Sequence, residues 1–128
     1  MSYYYTKTIE ATLEEAEVKT REQLQAQGFG VLTEIDVSAT LKNKIDVDFR
    51  PYKILGACNP PFAHKSLQAE DKIGLMLPCN VVLQEWGPGK VEVSVIDPLA
   101  AMEPVKNESL GEIAGQVADK LKKVIDSL

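Results

Sequence analysis

Residues 74–97, GLMLPCNVVLQEWGPGKVEVSVID, decide the architecture of this chain. Gly87-Pro88-Gly89 separates two runs rich in apolar and β-branched residues, and that arrangement predicts a hairpin of two antiparallel strands. In the first run Leu75, Leu77, Cys79, Val81 and Leu83 fall on one side of the strand period; in the second Val91, Val93 and Val95 do. Each strand therefore has one face to bury. Pro78 has no amide proton to give to a ladder, so its strand is expected to lie at a sheet edge there or to carry a bulge.

Moving toward the N-terminus, YKILGAC (52–58) follows Pro51, which permits only an extended approach, and reads as a strand. FGVLTEIDV (29–37) sets Val31, Ile35 and Val37 against Glu34 and Asp36, the pattern of a half-buried strand. SYYYTKTIE (2–10) is rich in aromatic and β-branched residues and predicts another; its tyrosines alternate faces and so cannot form one stacking platform. Thr12 and Glu15 have capping-box spacing, which predicts a helix from Leu13 to about Gln27, with Leu13, Ala16, Thr20 and Leu24 on its inner side and Gly28 ending it. Ser38 is the expected cap of a short helix over ATLKNKIDV, and Asn59, with Pro60 in the first helical position, the expected cap of another reaching about Glu70.

Beyond the hairpin, residues 98–107 read as a connection whose Leu99, Ala100, Ala101 and Met102 cover part of the core. Ser109 and Glu112 repeat the capping-box spacing, and Leu110, Ile113, Ala114, Val117, Leu121, Val124, Ile125 and Leu128 then recur at intervals of three and four. The order is strand, helix, four strands, helix. It predicts a single α+β domain over residues 1–128, with a mostly antiparallel sheet covered on one face by the first and last helices.

A length of 128 residues, 45% of them hydrophobic, is enough for one core. The formal charge of −5, with lysines spread along the chain, argues against nucleic-acid and anionic-membrane partners, because both require a cluster of positive charge. The start MSYYYTKTIEA lacks the basic patch and apolar run of a secretory signal, so a cytoplasmic location is expected, where Cys58 and Cys79 stay reduced.

Chemistry concentrates at those two thiols. Cys58 stands before a helix start, where partial positive charge favours a thiolate, although Pro60 and Pro61 remove two of the amide protons that create it. Cys79 follows Pro78, and both cysteines precede an asparagine, Asn59 and Asn80. A redox or ligand-reactive dithiol, a metal site recruiting His64 and a Cys58 nucleophile assisted by His64 compete with the simpler reading of free cysteines as small core residues. His64 reads as a helix-surface residue, and Trp86 at the hairpin tip either marks a partner surface or folds over to close the core. No Gly-rich nucleotide loop, GxSxG or HExxH occurs, so no cofactor and no metal is expected.

Tyr52-Lys53-Ile54-Leu55-Gly56-Ala57-Cys58-Asn59-Pro60, Ala63, Leu67, Ile73-Gly74-Leu75-Met76-Leu77-Pro78-Cys79-Asn80-Val81 and Asp97-Pro98 together resemble the small bacterial and archaeal proteins grouped as domain of unknown function 302. The resemblance covers nearly the whole chain. It implies a compact α+β domain with a tendency to self-associate and no established reaction; a homodimer is expected. By this likeness Cys58, Asn59, Pro60, Pro78, Cys79 and Asn80 belong to the family's signature segments, which implies one shared location for the two cysteines and makes Cys58, Asn59, Pro60, Cys79 and Asn80 the candidate ligand or redox residues. His64 falls outside the pattern. The resulting expectation is a ligand-binding or thiol-sensing module. The alternatives are a thiol-dependent enzyme of redox or sulfur metabolism with Cys58 as nucleophile, and a structural interaction module with buried cysteines.

Overall fold

The structure, a computed structural model, describes residues 2–128. Five strands, β1 (Tyr4–Glu10), β2 (Gly30–Asp36), β3 (Tyr52–Cys58), β4 (Cys79–Gly87) and β5 (Lys90–Ile96), form one antiparallel sheet in the order β1-β5-β4-β3-β2. Helices α1 (Leu13–Ala26) and α5 (Glu108–Asp126) lie across one face. Between the strands run α2 (Val37–Ile45), α3 (Pro60–Ala69) and the short α4 (Pro98–Met102), with 3-10 turns at Ile73–Met76 and Glu103–Val105. No helix among the described residues is long and apolar enough to cross a membrane.

The hairpin closes as its sequence predicts. Gly87 pairs with Lys90, leaving Pro88-Gly89 as a two-residue turn in which Gly89 has φ +76°, the left-handed value that glycine adopts without strain. On the helix side Val81, Leu83, Val91, Val93 and Val95 are buried against Ala16 and Leu24 of α1 and Val117, Leu121, Val124 and Ile125 of α5. Each fully buried leucine or valine contributes roughly 1.5–3 kcal/mol relative to exposure. The 3.6-residue periodicity of α5 is therefore the imprint of this contact.

At the helix ends, α1 starts on the expected capping box: Glu15 N donates to Thr12 Oγ1 and Thr12 N donates to Glu15 Oε1, both at 3.1 Å. Two other caps differ from expectation. Asp36, not Ser38, caps α2, its Oδ1 accepting from Ala39 N at 3.0 Å while the Ser38 hydroxyl donates to the same oxygen. Asn107, not Ser109, caps α5, accepting from Ser109 N at 3.0 Å. In both places an earlier side chain, with a carboxylate oxygen at Asp36 and an amide oxygen at Asn107, reaches the open amide first.

Two strand readings also shift. Residues 73–76 wind into a 3-10 turn, so β4 begins only at Cys79 and Leu75 projects outward, 85% exposed. In β2 a register shift between Val31 and Thr33 inverts the alternation, so Ile35 is opposite Ile54 on the uncovered face and is 48% exposed. Charge ties this edge down. Lys53 Nζ lies 2.8 Å from Glu17 and 2.7 Å from Glu34, and Arg21 bonds the same two carboxylates at 2.9 and 3.0 Å. The network holds α1 to β2 and β3.

Candidate functional site

Cys79 opens β4 opposite Ala57 of β3, and Cys58 closes β3 on the next residue. The register thus brings the two thiols to one end of the sheet. Both are free and half-buried. They line one cavity of about 40 Å³, whose wall also includes Phe29 after α1, Phe62 and Ala63 of α3, Leu77 and Pro78 before β4, Pro98 and Met102 of α4, and Ile113 and Ala114 of α5.

Apart from the two thiols, no lining residue is ionisable. Of its polar side chains, the Ser66 hydroxyl donates to Phe62 O at 2.9 Å, and Asn59 Nδ2 donates to Gln27 O at 3.3 Å. Burial, together with the nearby Cys58, pushes the Cys79 thiol up from its ordinary 9.0 to about 11. Cys79 therefore remains a neutral thiol at physiological pH. No positive side chain on the cavity wall offsets that cost.

Of the expected site residues, Cys58, Asn59 and Cys79 come together, with Pro78 beside them, and Pro60 and Asn80 do not. Asn59 is buried and stands at the N-cap of α3, its carbonyl accepting from Ala63 N at 2.9 Å, but its side chain makes no capping bond: Pro61 in the second helical position has no amide to offer, and the side chain turns to the C-terminal end of α1. There its Nδ2 lies 3.1 Å from where a Cβ on Gly28 would sit, and Gly28 has φ +84°. Pro60 is exposed and outside the wall, where it only starts the helix. Asn80 is exposed on the opposite face, one residue from Cys79 and so on the other side of the pleat.

His64 is exposed and absent from the wall. Among the described residues no three of His, Cys, Asp or Glu gather as metal ligands. The two cysteine segments also pack directly on each other. A Cβ on Gly56 would fall 2.1 Å from Thr33 Oγ1 and 2.7 Å from Pro78 Cγ, so only glycine fits beneath that proline.

Sequence reasoning missed most of the wall. Phe29, Phe62, Leu77, Pro98 and Met102 come from four separate segments, and their sequence signals were the shared strand face of Leu77 and Cys79, the place of Leu77 and Pro98 in the family pattern, and the apolar content of the 98–107 connection.

Residues 5–128 match the family model described as "Domain of unknown function DUF302". The crystal structure of an uncharacterized conserved DUF302 protein from Bacillus stearothermophilus superposes with a TM-score of 0.91 at 28% identity, covering 99% of this chain and 98% of that one. No curated protein matches.

Proposed function

The chain belongs to the DUF302 family, and from its apolar cavity we propose that it is a small-ligand-binding domain, working in a reducing compartment, whose ligand is neutral and apolar. The observation that carries this reading is the cavity wall: sixteen residues, none ionisable except two thiols, of which Cys79 is held protonated. A pocket of this character selects by shape and apolar contact. Its size suits a ligand of only a few non-hydrogen atoms, since one water needs about 10–15 Å³ by the same measure.

The wall favours binding over catalysis. A nucleophilic Cys58 needs a base or a cation within hydrogen-bond reach, and the wall has neither. Xenon is the direct probe, because it enters dry apolar cavities and carries no chemistry of its own. The expected result is a saturable xenon NMR shift in the native protein that disappears in Ala114→Leu, which fills the space. No saturable shift in the native protein overturns the reading.

The nearness of Cys58 to Cys79 favours a second, thiol-sensing use of the same wall. Treatment with diamide would then remove two hydrogens, one from each thiol, as one intrachain disulfide forms; recovery of two free thiols defeats this reading.

Self-association is proposed on separate ground. Leu75 is 85% exposed and Met76 42% exposed, and with Pro98 and Met102 they line an apolar groove beside the cavity that a second copy would cover. Light scattering should give the mass of two chains, falling to one in Leu75→Glu. A monomer at micromolar concentration counts against it.

A further inference from the structure

The chain has two arginines, and they are used in opposite ways. Arg21 is neutralised by Glu17 and Glu34. Arg50 takes part in no ion pair among the described residues, yet it is held from several sides. Its guanidinium carbon lies 4.0 Å from the ring centre of Trp86 and 4.4 Å from that of Phe49, with Tyr52 at 5.8 Å. Its Nε donates to Gln84 Oε1 at 2.9 Å. Pro51 restricts the backbone of Arg50 itself to extended conformations.

The Gln84 contact is in turn oriented. Gln84 Nε2 donates to Glu92 Oε1 at 3.1 Å, and Trp86 Nε1 donates to the same oxygen at 3.3 Å. Glu92 thereby fixes the Gln84 amide with its oxygen toward Arg50 and fixes the indole on which the guanidinium rests. Only Nε is used within the protein; the two terminal nitrogens of the guanidinium, with their four N–H donors, have no partner among the described residues. Ordering an arginine costs side-chain entropy, and here that cost is met before any ligand arrives, which favours binding a group that matches the free fork.

Tyr52, Gln84 and Glu92 also line a groove of about 360 Å³ on the uncovered sheet face, whose remaining wall includes Tyr4, Val82 and Ile96. We propose that Arg50 and this groove form a binding site for an amphiphilic monocarboxylate, with its carboxylate on the Arg50 fork and its apolar body over Tyr52 and Val82. A planar two-oxygen anion matches the fork, and a single negative charge suits a site that also holds the Glu92 carboxylate. This site is on the other face of the sheet from the cysteine cavity and stands independently of it.

Trp86 is the only tryptophan, so its fluorescence and its indole N–H NMR signal report on this site alone. Hexanoate is titrated at constant ionic strength, with hexanol supplying the body without the charge and acetate the charge without the body. The expected result is a saturable Trp86 response to hexanoate, with hexanol and acetate each about tenfold weaker or more. Arg50→Lys, which keeps the charge but loses the fork and the stacking, should also weaken hexanoate about tenfold while its circular dichroism matches the native chain. Equal binding of hexanol and hexanoate overturns the assignment in the native protein alone. So does a response that only tracks ionic strength, or a folded Arg50→Lys that binds hexanoate as the native chain does.

Discussion

Cys58-Asn59 and Cys79-Asn80 read alike in sequence, each a cysteine and an asparagine beside a proline, yet the fold uses the two asparagines in opposite ways. Asn59 is buried and bonds the end of α1, while Asn80 is exposed on the far face of the sheet. The difference follows from strand direction. Cys58-Asn59 lies where β3 ends and the chain turns under α3; Cys79-Asn80 lies where β4 begins and regular pleating already sends neighbours to opposite sides. Equal residues at the exit and the entry of adjacent antiparallel strands meet different surroundings. The thiols converge and the asparagines part.

The largest expected effect comes from forcing the two segments apart. Gly56→Ala places a methyl group against Thr33 and Pro78, and urea denaturation should show a loss of about 2–3 kcal/mol. Thr33→Ala in the same chain removes the nearer clash and should recover part of it. A Gly56→Ala chain as stable as the native one would mean that the segments are not packed together.

Next is the pH dependence that burial gives Cys79. The folded thiol keeps its proton to about pH 11, whereas its ordinary value is 9.0. Below pH 9 both folded and unfolded chains are protonated and this contribution is full; from 9 to 11 only the unfolded chain releases the proton, so stability falls by about 2–3 kcal/mol. Lys53, raised by its bonds to Glu17 and Glu34, also loses stabilisation at high pH, so the thiol's share is the slope that vanishes in Cys79→Ala. An unchanged slope in that variant places Cys79 in water.

Smaller effects separate the asparagines. Asn59→Ala should cost about 1–2 kcal/mol through loss of the bond to Gln27 O at a buried position, while Asn80→Ala should stay within about 0.5 kcal/mol. Equal costs would erase the contrast between the two segments.

The sheet and its two covering helices were legible in the sequence because burial on one face writes a period of two into strands and of 3.6 into helices. The alternation of Val91, Val93 and Val95 and the spacing from Leu110 to Ile125 are those periods. Less was legible where local rules compete. Asn59 has the residue type and the position of a helix cap, but Pro61 withholds one of the amides its side chain would bond and the three-dimensional nearness of Gln27 draws that side chain elsewhere. The inverted face of β2 depended on one extra residue near Leu32, which no alternation rule anticipates. The pairing of the cysteine segments was suggested by the family resemblance, but the cavity wall was not, since it joins five separate segments by packing alone. Trp86 was open between two readings. Its place over Arg50, at 59% exposure, favours the surface one.

Alkylation of each cysteine by iodoacetamide, followed by peptide mass across pH, tests the burial of Cys79 in the apolar cavity wall most directly. Cys79 should resist modification at about pH 8, react fully once denatured, and show a rate that climbs toward a midpoint near 11 in the folded chain. Modification of folded Cys79 at about pH 8 as fast as a free thiol would contradict the account.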